Sequence, residues 1–230
     1  MSSTPTTNSY EQGDIAWVLT STAFVFLMVP GAGLFYAGLA RRKSALSLLF
    51  LPIAAACIVF LQWFLWGYSL TFSHTGSAFI GDVSNVGFRN VLTWNPAGWV
   101  AKLGGLDFAG GTPVHIASGS AALAYSFMLG KRGGHGTFEL NFRPQNTTFV
   151  IMGTLFLWIG WFGFNAGCAL GANLRAAMAA VVTNLAAGVG GIAWCAMDYR
   201  LERRFSAVGL CSGIVAGLVA ITPGSGFVPP

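Results

Sequence analysis

Charged residues divide this chain into six long runs that contain no Asp, Glu, Lys or Arg: 15–40, 44–73, 108–130, 144–174, 176–197 and 205–230. Each run holds enough apolar sequence for a helix of about 20 residues, the length that crosses a bilayer. In hydrocarbon only α-helices and closed barrels satisfy their own backbone, and these runs do not alternate apolar and polar residues as barrel strands do. The sequence therefore predicts an all-α, polytopic membrane helix bundle. Composition agrees. With 54% hydrophobic residues, 8% charged residues and 31 glycines, the chain is wrong for a soluble domain and right for packed membrane helices that approach closely at small residues.

The formal charge of +5 does not mark a nucleic-acid surface, because the basic residues sit between the apolar runs rather than on one amphipathic face. Their distribution predicts an orientation instead. With the N-terminus outside, the inner loops hold Arg41, Arg42, Lys43, Lys131, Arg132, Arg143, Arg200, Arg203 and Arg204. The outer segments hold only Arg89, Lys102 and Arg175, the positive-inside pattern. Residues 1–14 are polar, lack Lys and Arg, and read as an extracellular segment ahead of a membrane domain over 15–230. The sequon at Asn146 would lie near the cytoplasmic face. Cys57, Cys168, Cys195 and Cys211 lie inside apolar runs without paired spacing, so neither a disulfide framework nor a zinc site is expected. His74 and His135 fall in loops and read as solvated residues. Pro30 with Gly31, Gly33 and Gly38 predicts a kinked, closely packed first helix, the aromatics at 63–68 read as an interfacial belt, and Asn184 reads as an interhelical hydrogen-bond partner.

The stretch from Gly104 to His115, GGLDFAGGTPVH, concentrates the chemistry. Asp107 precedes the third run, where a carboxylate accepts bonds from free backbone N–H groups and opposes the helix dipole. His115 follows eight residues later, about two turns and roughly 12 Å deeper. An ionisable group at that depth is costly. Taken alone, the pair reads equally as a cap plus a histidine bonded to a neighbouring helix, or as a functional site.

That stretch is similar to the signature of the Amt/Mep/Rh ammonium transporters. Four others resemble the family in the same order: VPGAGLFYAG from Val29, WGYSL from Trp66, WIGWFGFNAG from Trp158, and GLCSGIVAGLVAITP from Gly209. Together they cover nearly the whole chain, and the wording is nearest to the fungal methylammonium-permease branch. The resemblance implies a bundle of about eleven helices in two inverted halves, assembled as a homotrimer in the plasma membrane with one pore per subunit. This chain holds about six of those helices. The family pattern places a further helix pair between Asn90 and Trp94, and continues beyond Pro230 through several spans, one of them bearing a second pore histidine. The chain thus reads as an internally shortened, C-terminally truncated member.

By the same resemblance, the substrate is ammonium or methylammonium, no cofactor is required, and the protein is not an enzyme. Trp94 aligns with the aromatic of the outer vestibule, with an interfacial anchor as its alternative; a tryptophan face attracts cations by about 0.5–2 kcal/mol. Phe164 matches one of two stacked gate phenylalanines. Cys168 stands where many members have serine, and a thiol is the weaker hydrogen-bond partner. Asp107 resembles the acid of the outer site and His115 the first pore histidine, whose neutral ring carries one donor and one acceptor nitrogen. The rival class is a non-conducting membrane subunit, sensor or fragment. An unrelated channel or a membrane enzyme lacks any filter repeat, nucleophile–base spacing or metal-ligand spacing, and the chain holds only seven acidic residues.

Overall fold

A computed structural model describes residues 11–73, 80–89, 104–131, 135–137 and 143–229. Among these the regular structure is entirely helical. Helix α1 (Gln12–Phe26) runs into α2 (Met28–Leu39) through a break at Leu27. Helix α3 (Arg42–Gln62) continues through a π-helical turn, Trp63–Gly67, into α4 (Tyr68–Phe72). A second π-helical turn, Thr112–Ile116, opens α5 (Ala117–Leu129). Helices α6 (Thr147–Gly167), α7 (Leu174–Glu202) and α8 (Ala207–Ile221) complete the bundle.

Among the described residues, four stretches are long and apolar enough to cross a membrane: Gln12–Leu39, Arg42–Phe72, Thr147–Gly167 and Leu174–Glu202. The other two windows also carry helices, but shorter ones. Helix α8 has 15 residues, about 22 Å at 1.5 Å per residue, and the chain then turns through 222–228. Helix α7 overruns its window at both ends, taking in Arg175, Asp198, Arg200 and Glu202. Charges at helix ends reach the headgroup region and do not stop the helix.

Local sequence explains the boundaries. Asn146, Asn173 and Ser206 cap α6, α7 and α8, their side-chain oxygens accepting from the amides of Phe149, Ala176 and Gly209. The break at Leu27 follows from Pro30, which has no N–H to donate to Phe26 and crowds that carbonyl. His135 is exposed, whereas His74 lies outside the described residues. Two aromatics of the second span pack on the following loop: Phe64 and Tyr68 close edge-on over Phe88 at 5.3 and 5.1 Å.

Helix α6 is the centre of the bundle, touching α1, α2, α7 and α8. Its Val150, Leu157 and Trp161 form the main core with Phe35, Ala187, Cys211, Ile214 and Leu218. Helices approach there at backbone distance. A Cβ on Gly38 would lie 2.7 Å from the Val150 nitrogen, and one on Gly213 would lie 2.5 Å from the Gly190 carbonyl oxygen. A polar pair pins α6 to α7: Asn165 Nδ2 donates to Thr183 Oγ1 at 2.9 Å, and both residues are fully buried. The interhelical partner is therefore Thr183. Asn184, the residue expected from sequence, is exposed one position along, on a different side of the helix. By contrast α3 and α5 contain no buried residue.

Gly213→Leu should force α7 and α8 apart and cost about 1–3 kcal/mol or more, read as a lowered melting temperature in detergent. Gly119→Ala in α5, where a Cβ meets nothing within 4 Å, should leave melting unchanged or slightly raised.

Candidate functional site

The site is built where the loop 104–110 meets the ends of α6 and α8. The loop turns at Gly110, whose φ of +77° suits glycine. That turn folds the first helical amides back over the Asp107 carboxylate. Oδ1 accepts from the Gly111 N–H at 2.8 Å and Oδ2 from the Thr112 N–H at 2.7 Å. Burial pushes this carboxyl up, but the hydrogen bonds from Thr112, Gly111 and Gly110 together outweigh it and hold it below the ordinary aspartate value. Asp107 is thus a fixed negative charge whose two oxygens are each engaged by the backbone.

The same loop is tied to the far end of the described chain. The Phe108 N–H donates to the Pro223 carbonyl at 2.8 Å. Gly111 is buried directly against the Pro223 ring, with no room for a side chain. The Phe108 ring meets Phe227 edge-on at 5.7 Å, and the Arg175 guanidinium lies 5.9 Å from the Phe227 centroid.

His115 sits in the π-helical turn, a widened turn that re-aims its side chain relative to a regular α-helix. Its imidazole stacks on Trp161 at 5.4 Å and 29°, and lies 6.0 Å from Phe164. Trp161 and Phe164 are themselves 5.8 Å apart. His115 Nε2 is buried and has no hydrogen-bond partner among the described residues. A group with one free nitrogen among aromatic faces can exchange a hydrogen bond with a small polar species, and an aromatic face favours a cation.

The structure thus brings His115 and Phe164 together and holds Asp107 in the loop from which the His115 turn begins. Cys168 lies one turn beyond Phe164, at the end of α6, and its thiol is committed to its own helix, donating to the Phe164 carbonyl at 3.1 Å. With Phe164 it lines a cavity of about 260 Å³ that opens between α1 and α6 and also takes in Ser21 and Thr22. Trp94 lies outside the described residues.

Two contributors escaped the sequence reading. Trp161, only 4% exposed, is the surface on which His115 rests, and its indole N–H donates to Thr222 Oγ1 at 2.9 Å. The signal for Trp161 was present, since it lies three residues before Phe164 and so on the same helix face. Nothing local could have paired Trp161 with Thr222, 61 residues away.

Comparisons with known proteins agree with this architecture. A model of the Ammonium Transporter Family matches residues 16–93 and 88–230. The match breaks at 88–93, where the sequence reading places the missing helix pair. Ammonium transporter 1 of Schizosaccharomyces pombe is 49% identical over 282 residues, covering 96% of this chain and 56% of the relative. Ammonium transporter MEP2 of Saccharomyces cerevisiae is 39% identical, over 96% of this chain and 57% of its own length. The crystal structure of Candida albicans Mep2 superposes with a TM-score of 0.87 at 36% identity, covering 96% of this chain and 62% of that one. The chain therefore spans little more than half the length of the curated relatives it matches. The alignment runs over 282 residues but takes in only 96% of this 230-residue chain, which leaves about sixty in the relative without counterpart, enough for two spans and their turns. The multi-pass helical bundle, the split family match and the superposition lead to one conclusion: the chain belongs to the ammonium transporter family.

Proposed function

We propose that this chain carries the outer half of an ammonium-conducting path. The observation that carries the reading is the His115 imidazole held against Trp161 and Phe164 with Nε2 buried and without a partner among the described residues. Ammonium is a small, strongly hydrated cation, and moving it bare into hydrocarbon is costly. Asp107 supports the first step as a fixed charge at the outer mouth: it attracts the cation through space while its oxygens stay on the Gly111 and Thr112 amides. Aromatic faces support the second step, substituting for lost water at about 0.5–2 kcal/mol per face; Trp94 is assigned there by resemblance. Phe164 is then the gate, Cys168 a weak contact beside it, and His115 the group that exchanges a hydrogen bond or proton with ammonia beyond it. Methylammonium follows the same path.

The wider assignment is a plasma-membrane protein with its N-terminus outside, associating as a homotrimer. The excess of Lys and Arg in one set of loops supports the orientation, and the names of the fungal relatives support the substrate.

Methylammonium uptake in cells lacking their own ammonium transporters tests the reading. The 230-residue chain should give saturable uptake that Asp107→Ala reduces to background, since two charge-assisted bonds of about 1.5–3 kcal/mol each are lost. Absence of uptake from protein present in the membrane would overturn the assignment of conduction to this chain. Cys168→Ser should keep or raise uptake, because a hydroxyl is the better hydrogen-bond partner; a tenfold loss would remove Cys168 from the path.

The carboxyl of Asp107 also sets an acid limit. Its folded pKa lies below the ordinary value, so its stabilising contribution is complete above that ordinary value and is lost as pH falls through the folded one. Melting of the purified chain should be flat near neutrality and fall below about pH 4. Asp107→Asn should melt lower at neutrality and show a smaller acid loss.

A further inference from the structure

We propose that Thr222 and Pro223, at the end of α8, form a latch that positions both polar elements of the site. Thr222 is fully buried, and its hydroxyl has two fixed partners. It donates to the Leu218 carbonyl at 2.8 Å and accepts from the Trp161 indole N–H at 2.9 Å. The first bond uses the hydroxyl proton, so a lone pair is what remains for the indole. An indole N–H in an apolar core has no water to turn to, which makes this bond the determinant of the ring's rotation about its side chain. The Trp161 ring in turn sets the plane on which His115 stacks at 5.4 Å. The next residue acts on the other element: the Pro223 carbonyl holds the Phe108 amide at 2.8 Å, one residue after Asp107, and its ring backs Gly111. One dipeptide therefore fixes the support of His115 on one side and the Asp107 loop on the other. Thr222 acts through Trp161 and is a positioning residue.

The importance of the latch rests on the conduction reading, but its geometry does not, and the test is chosen accordingly. The reagent is diethyl pyrocarbonate, which acylates unprotonated imidazole nitrogens, applied to the full chain in lipid nanodiscs and read by peptide mass spectrometry. The exposed His135 serves as internal standard. In the native chain the buried Nε2 of His115 should react slowly relative to His135. Thr222→Val keeps the shape but removes the acceptor; the indole should then move and His115 acylation should rise about fivefold, the factor that one hydrogen bond is worth. Thr222→Ser should restore the native rate. In a Trp161→Phe background, which has no indole N–H, Thr222→Val should change nothing further. A His115 rate unmoved by Thr222→Val, or an equal increase in the Trp161→Phe background, overturns the proposal. If Thr222→Val does not fold, Thr222→Ser against Trp161→Phe still decides: native rate in the first and a raised rate in the second supports the latch, and any other pattern overturns it. None of these readouts requires the chain to conduct.

Discussion

Backbone-to-backbone approach at glycine is the constraint on which the rest of this bundle depends. In lipid there is no hydrophobic drive to bring two apolar helices together, so association rests on close packing and on the few polar groups that can meet. Helix α6 meets α2 where Gly38 abuts Val150, and meets α1 where Gly163 and Gly167 abut Ser21. Helices α7 and α8 close at Gly190 and Gly213. Because these crossings leave no layer of side chains between backbones, the larger side chains of α6 are directed to the remaining face. Trp161 and Phe164 lie there, and α8 is held near enough for a threonine hydroxyl to reach an indole.

The site divides its work between two kinds of polar group. Asp107 is satisfied by the amides of Gly111 and Thr112, at a helix start whose dipole already favours negative charge. That arrangement commits both carboxylate oxygens to the backbone and fixes the charge in place. His115 has the opposite character. Its Nε2 is buried beside the Trp161 and Phe164 rings and has no partner among the described residues. A fixed charge and a buried imidazole nitrogen thus lie eight residues apart along one helix start.

How much of this could be read from the chain varies with the range of the interaction. The six apolar runs located six helical regions because the cost of charge in hydrocarbon acts residue by residue. Their ends were less legible: α7 continues through Arg175 and Asp198, since a helix reaching the headgroups tolerates charge. Asp107 was legible as a helix-start carboxylate because capping is local. The π-helical turn at His115 was not, because a widened turn depends on what the side chain meets. Asn184 failed for a related reason. Amide chemistry suggested a partner across helices, but a helix rotates 100° per residue, and the neighbouring Thr183 is the one that faces Asn165. The Trp161–Thr222 bond joins residues far apart in sequence and needed the fold.

The dependence of the Asp107 loop on Pro223 also has a bearing on how such a chain is made. Helices enter the bilayer in the order of synthesis, and α8 follows every other helix described here. Until it is in place, the Phe108 amide has no carbonyl to bind and Trp161 has no hydroxyl. The Asp107 loop and the support of His115 are therefore completed only once α8 has packed against α6.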